Sequence, residues 1–141
     1  MQISNEILIN TINILTKNGD KEIAKHTLKK SLAFIKKSSK RQPKTSFTDA
    51  LRLIYPFCEV RSLRIAGTIY KVPTEIGVNR QKMLAIRFLI ENSKKRSERT
   101  LWKKVSLEIM DTLTLSSRSI KACDEFHKIA ESNKIFIQYR S

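Results

Sequence analysis

Apolar residues recur at intervals of three and four along nearly the whole chain, and that interval is interrupted only once. Leu8, Ile12 and Leu15 share a face in 4–17, and Leu28, Leu32 and Ile35 share one in 21–37. Ala50, Leu51 and Ile54 do so in 46–55, and Met83, Leu84, Ile86, Leu89 and Ile90 in 80–95. Leu101, Val105, Leu107, Ile109 and Leu113 follow in 98–114, then Phe126, Ile129 and Phe136 in 119–138. This spacing predicts amphipathic helices. Only three Gly and three Pro are present, so little interrupts them. The exception is 58–76, where the β-prone runs CEVRSLRI and TIYKVPTEI flank Ala66-Gly67. The expected fold class is therefore mainly α: a single helical domain over 1–141, of about six helices, with a protruding two-stranded antiparallel β-hairpin arm. A lone ribbon is marginal in water, so the arm must pack on the helices or lie on a partner.

Punctuation residues refine the boundaries. Ser4 can cap the first helix, Asn18-Gly19 can stop it, and Asp20 can cap the second, which gives an antiparallel pair. The apolar-free stretch SSKRQPKTS (38–46) reads as an exposed loop. Ser46 and Asp49 resemble a capping box, Pro56 ends the third helix, and Asn79 can cap the fourth. Ala66 is ill suited to a tight two-residue turn, which wants positive φ at both central positions, so another turn type is expected in the hairpin.

Charge speaks to partners rather than fold. The 141 residues include 28 Lys+Arg against 13 Asp+Glu, a net +15, with a pI near 10.1. A chain of this length can bury roughly 68–70% of its unfolded surface, so it needs no metal or disulfide to hold a core. A body this basic calls for a polyanion: nucleic acid first, an anionic membrane second. The excess is lumpy. Residues 36–46 hold five cations and no acid: Lys36, Lys37, Lys40, Arg41 and Lys44. Residues 74–104 hold nine against three acids: Arg80, Lys82, Arg87, Lys94, Lys95, Arg96, Arg99, Lys103 and Lys104. Cations that meet phosphates release counterions and drive sequence-independent binding. Arg61, Arg64 and Lys71 add charge to the arm, and Arg can also stack on unpaired bases.

Other chemistries find no support. The chain has no Gly-rich phosphate loop. Its two histidines, His26 and His127, offer no nucleophile–base set, and with Cys58 and Cys123 they have no metal-ligand spacing. No cofactor or metal is expected. His127 follows Asp124 by three positions and is read as its helix-stabilising partner. Trp102 and Phe126 are read as core or interface residues. Apolar runs fall short of the ~18 residues needed to span a bilayer. Residues 1–16 lack Arg and do not look like a cleaved presequence.

A resemblance sharpens this reading. VRSLRIAGTIYKVPTEI (60–76) is similar to the arm of the bacterial-type small-subunit ribosomal protein seven family, approximately VKSRRVGGATYQVPVEV there. NRQKMLAIRFLIENSKKR (79–96) resembles the family's next helix and DEFHKIAESNKIFIQYR (124–140) its C-terminal signature, in a collinear match over about 6–140. The resemblance implies a structural constituent of the ribosome. It implies binding to the 3′ major domain of small-subunit ribosomal RNA and organisation of the subunit head. It also implies proximity to exit-site transfer RNA, the messenger path and small-subunit ribosomal protein eleven of the platform. By position, Arg61, Arg64 and Lys71 belong to the arm, Ala66 and Gly67 to its tip near transfer RNA, and Tyr139 and Arg140 to a C-terminal interface. Arg80, Lys94, Lys95 and Arg96 would face RNA. Departures are Ala66 for a tip glycine, Leu63 for an arm arginine, and Ala122 and Cys123 for two basic positions. The basic N-terminal tail of bacterial members is missing. With the Ile/Lys-rich composition, this suggests a protein encoded inside a mitochondrion, with a plastid or bacterial cytoplasm as the alternatives.

Two competing classes make different demands. A free helical DNA- or RNA-binding regulator needs a recognition helix and usually a dimer, and nothing in the sequence marks dimer symmetry, so no homo-oligomer is expected. An RNA-acting enzyme needs an acid/base or metal set.

Overall fold

The structure is a computed structural model and describes residues 2–139. Three helices come first: α1 (Gln2–Leu15), α2 (Lys21–Ser39) and α3 (Pro43–Leu53). A hairpin follows, β1 (Cys58–Ile65) and β2 (Thr68–Glu75). Then come α4 (Val78–Lys94), α5 (Leu101–Leu113), α6 (Arg118–Ser132) and a short 3₁₀ helix, Lys134–Tyr139. Six α-helices and one antiparallel ribbon among the described residues make the mainly α class expected from the periodicity.

The helices close around one apolar cluster that includes Ile7, Leu28, Ile35, Phe47, Leu51, Ile54, Ile86, Leu89, Val105 and Ile109. Each such burial is worth roughly 1.5–3 kcal/mol in transfer free energy. Helix α5 is central and packs against α2, α3, α4 and α6. Its contact with α2 runs through small residues: Ser31 and Ser106 are fully buried, and the Ser31 hydroxyl donates to the Trp102 carbonyl at 3.0 Å. Buried hydroxyls elsewhere donate back along their own helices, Thr11 to Ile7 and Thr112 to Glu108, both at 2.7 Å. Such back-bonding satisfies a polar group where water is excluded. Trp102 meets Phe34 edge-on at 5.7 Å, and Phe126 meets Phe88 at 5.4 Å, so both serve packing.

Several boundaries move. Helix α1 begins at Gln2, which puts Ser4 inside it. Asn18 and Gly19 both take positive φ and end it as expected. Asp20 precedes α2, but its side chain makes no capping bond. The expected loop 38–46 shrinks to 40–42, because α2 runs to Ser39 and Pro43 opens α3. Proline fits a first helical position, where its missing N–H costs nothing. Ser46 is then an interior, buried residue whose hydroxyl has no partner, and the capping box with Asp49 does not form. Gly77, not Asn79, precedes α4, and α5 starts at Leu101 rather than 98. The last helix breaks at Asn133, whose amide donates to the Ile129 carbonyl at 2.8 Å, and the chain continues as the 3₁₀ helix.

Register in the arm pairs Arg61 with Val72, Leu63 with Tyr70, and Ile65 with Thr68. The turn is the tight two-residue form after all, with φ of 49° at Ala66 and 81° at Gly67. That correction means Ala66 accepts a left-handed conformation, because such a turn matches the twist of the flanking strands. The base of the arm leans on α6 and the 3₁₀ helix: Val72 is fully buried, and the Tyr70 and Phe136 rings lie 5.4 Å apart. The tip residues 65–69 are exposed.

Candidate nucleic-acid interface

The structure sorts the predicted cations into groups that differ in availability. The first gathers where α2 ends and α3 begins. Lys36, Lys37, Lys40, Arg41 and Lys44 are all exposed. Lys40 takes a positive φ of 52° that turns the chain sharply, so Lys36, Lys40, Arg41 and Lys44 line one open groove with Gln42 and Pro43. Lys36 and Lys37 sit in the last turn of α2, where the helix dipole favours cations.

The second group collects at the opposite end of α2. Nineteen residues at 1.5 Å each separate the two ends by about 28 Å. Lys94 and Lys95 terminate α4 and are exposed, as are Arg99 and Lys103. The Lys104 ammonium donates to the Lys94 carbonyl at 3.4 Å, and the Arg118 guanidinium donates to the Lys95 carbonyl at 3.1 Å. Four cations from three helices thus meet where α4 ends. Arg118 is absent from the sequence-derived set. It lies in the stretch 105–141, where five cations and five acids cancel, so counting charge by segment hides it.

Arg96 behaves differently from its neighbours. Its guanidinium donates to Glu98 at 3.1 Å, Glu108 at 2.9 Å and Asp111 at 2.7 Å. Glu108 is fully buried, and its other oxygen accepts from the Ser119 backbone N–H at 3.1 Å and hydroxyl at 2.7 Å. Desolvation alone would favour the neutral arginine, but the bonds to Glu98, Asp111 and Glu108 outweigh it and push its pKa up. The same contact holds the half-buried Glu98 carboxyl below its ordinary value. Three carboxylates therefore occupy the cation that the sequence reading set against RNA.

The arm splits its cations. Ser62 pairs with Lys71 and Arg64 with Ile69, so Arg64 and Lys71 share one exposed face, while Arg61 belongs to the other. Arg61 and Arg80 both hold Glu59, at 3.2 and 3.3 Å. Lys82 is largely covered and pairs with Glu6 at 3.6 Å. Arg87 is exposed. His127 does not pair with Asp124. Its Nε2 accepts from the Phe57 backbone N–H at 2.9 Å, and its ring stacks on Phe57 at 5.3 Å. Of the C-terminal interface pair, Tyr139 is the last residue of the 3₁₀ helix, and Arg140 lies outside the described residues.

Among the described residues, no three His, Cys, Asp or Glu side chains converge to hold a metal ion, and no helix is long and apolar enough to cross a membrane. A mainly helical body with separated clusters of exposed cations and a basic ribbon defines the class of basic nucleic-acid-binding proteins. Residues 2–134 match the family described as Ribosomal protein S7p/S5e. The small ribosomal subunit protein uS7m of Reclinomonas americana is 38% identical over 137 residues, 97% of this chain and 86% of that one. The small ribosomal subunit protein uS7 of Syntrophus aciditrophicus is 38% identical over 136 residues, 96% of this chain and 87% of the relative. That of Mycoplasma genitalium is 36% identical over 137 residues, 97% of this chain and 88% of the relative. The chain belongs to the ribosomal protein S7p/S5e family. It is a structural, non-enzymatic constituent of the ribosome, and binding to small-subunit ribosomal RNA is general to that family.

Proposed function

We propose that the chain binds the 3′ major domain of small-subunit ribosomal RNA through the two cation clusters at the ends of α2 and thereby organises the head of the subunit. The observation that carries this reading is charge placement: four cations in one groove at the C-terminal end of α2, and four more around the end of α4, where Lys94 shares a cleft with the first residues of α2. Phosphate contact through such clusters gives strong, salt-sensitive affinity without base readout. Lys36, Lys37, Lys40, Arg41, Lys44, Lys94, Lys95, Arg99, Lys103, Lys104 and Arg118 form the contact set, with Arg87 beside it. Arg64 and Lys71 serve the arm, which lies near exit-site transfer RNA and the messenger path with Ala66 and Gly67 at its tip. Arg96, Lys82, Arg61 and Arg80 have protein carboxylates as neighbours, so they act first in the fold. The protein works as a single copy, as one domain, beside other head and platform proteins that include small-subunit ribosomal protein eleven.

The ribosome in question is mitochondrial in this reading. The Ile- and Lys-rich composition supports it, and uS7m is among the most similar relatives, alongside bacterial uS7 at equal identity. Sucrose-gradient fractionation of a whole-cell lysate beside one of purified organelles tests the assignment. Nearly all the polypeptide should sediment with small subunits, and recovery in a free pool or in cytosolic ribosomes would contradict it.

A further inference from the structure

Where the α1–α2 turn meets the end of α4 and the start of α5 lies a partly enclosed cleft of about 270 Å³. Leu15, Ala24, Leu101 and Ile23 supply its apolar walls, and Lys17, Asn18, Asp20 and Lys94 stand among its lining residues. Ile23 is 65% exposed although every other large residue of this wall is at least partly covered. Drug-sized ligands take pockets of roughly 300–1,000 Å³, so this one suits something the size of a single planar ring system. We propose that the cleft receives one unpaired, unstacked nucleobase of the ribosomal RNA. This rests on the RNA-binding reading above and adds a base contact to its phosphate contacts.

Three features favour a base over an apolar side chain from a neighbouring protein. The first is charge. Lys17 and Lys94 line the cleft, and Lys104 donates to the Lys94 carbonyl, so cations stand where the phosphates flanking an extruded nucleotide would lie. The second is the polar edge. Asp20 occupies the residue before α2, yet its side chain makes no capping bond there. A carboxylate left in this way can accept from an exocyclic amine, as acidic side chains accept from cytosine N4 in groove recognition. Asn18, turned by its φ of 56° at the end of α1, stands next to it with both donor and acceptor capacity. The third is the exposed Ile23 side chain, an aliphatic lining surface left open to a base face. Specific recognition of RNA chiefly targets such splayed-out bases in loops and junctions.

The test uses the full-length chain and a transcript of its own small-subunit ribosomal RNA 3′ domain. Ile23→Ser removes an aliphatic contact with the base, so it should weaken binding several-fold with no change in salt slope, since no phosphate contact is lost. One unpaired base protected by the wild-type protein from a base-modifying reagent should become reactive in the variant complex. Asp20→Asn should loosen protection of the same base while leaving Ile23 in place. Unchanged affinity with no base restored to reactivity would overturn the proposal. So would unchanged affinity for the transcript combined with poor uptake into subunits, because that points to a protein side chain in the cleft. Failure of the wild-type chain to bind the transcript at all would remove the RNA reading itself, a distinct result.

Discussion

Arg96 neutralises itself on the protein's own carboxylates, and its network ties the end of α4 to α5 and to the first turn of α6. Glu108 is the buried hinge of that network. Removing one partner of a buried pair leaves an uncompensated charge, so Arg96→Met should lower stability by roughly 3–5 kcal/mol in a denaturant melt. Arg96→Met combined with Glu108→Gln should recover part of the loss. Glu98 gives a pH signature. Its folded pKa lies below the ordinary 4.5, so its contribution is present above 4.5 and is lost as pH falls through the lower folded value. The thermal midpoint of the wild type should therefore drop below pH 4.5, and Glu98→Gln should flatten that drop. Cys123 is buried, and desolvation, aided by the charge of Asp124, pushes its thiol up to about 11. Maleimide labelling at pH 8 should modify the half-buried Cys58 well before Cys123, and equal rates would contradict the burial. A count of charge by segment hides most of this network, because two of the three acids of Arg96, Glu108 and Asp111, lie 12 and 15 residues downstream.

Helix existence was legible from periodicity, while helix ends were legible only where backbone geometry demanded a particular residue. Asn18-Gly19 announced the end of α1 because positive φ suits that pair. The start of α3 was misread because an exposed first turn carries polar residues, as a loop does, and only Pro43 marked the difference. The ribbon's turn was misread in the other direction. Ala66 accepts a left-handed conformation that costs an L-residue roughly 1–2 kcal/mol. Ala66→Gly should therefore protect the arm amides further against hydrogen exchange, by about 1 kcal/mol or less after the entropy of glycine is counted. Gly67→Ala should do the reverse. If both leave exchange unchanged, the turn is not the strained form described. The face assignments of Arg61 and Arg64 needed the register, since one residue of slip exchanges every side chain across a ribbon.

For the whole molecule, the sequence told of excess charge and the fold decides where it goes. Helix α2 separates two clusters that the linear sequence also separates, and of the 36–44 cations Lys36, Lys40, Arg41 and Lys44 line one groove while Lys37 lies outside its lining. The second cluster is tertiary, built from α4, α5 and α6 around the carbonyls of Lys94 and Lys95. Its Arg118 could be found only after folding. The central claim is that both clusters engage phosphates of one RNA. The direct test is the slope of log affinity against log salt for the 3′ domain transcript. It should be measured for the wild type, for Lys36/Lys40/Arg41/Lys44→Ala, and for Lys94/Lys95/Lys104/Arg118→Ala. At roughly −0.7 to −0.9 per phosphate contact, each fourfold variant should make the slope shallower by about three units, and melts should show that both remain folded. A wild-type slope in either variant would contradict the account.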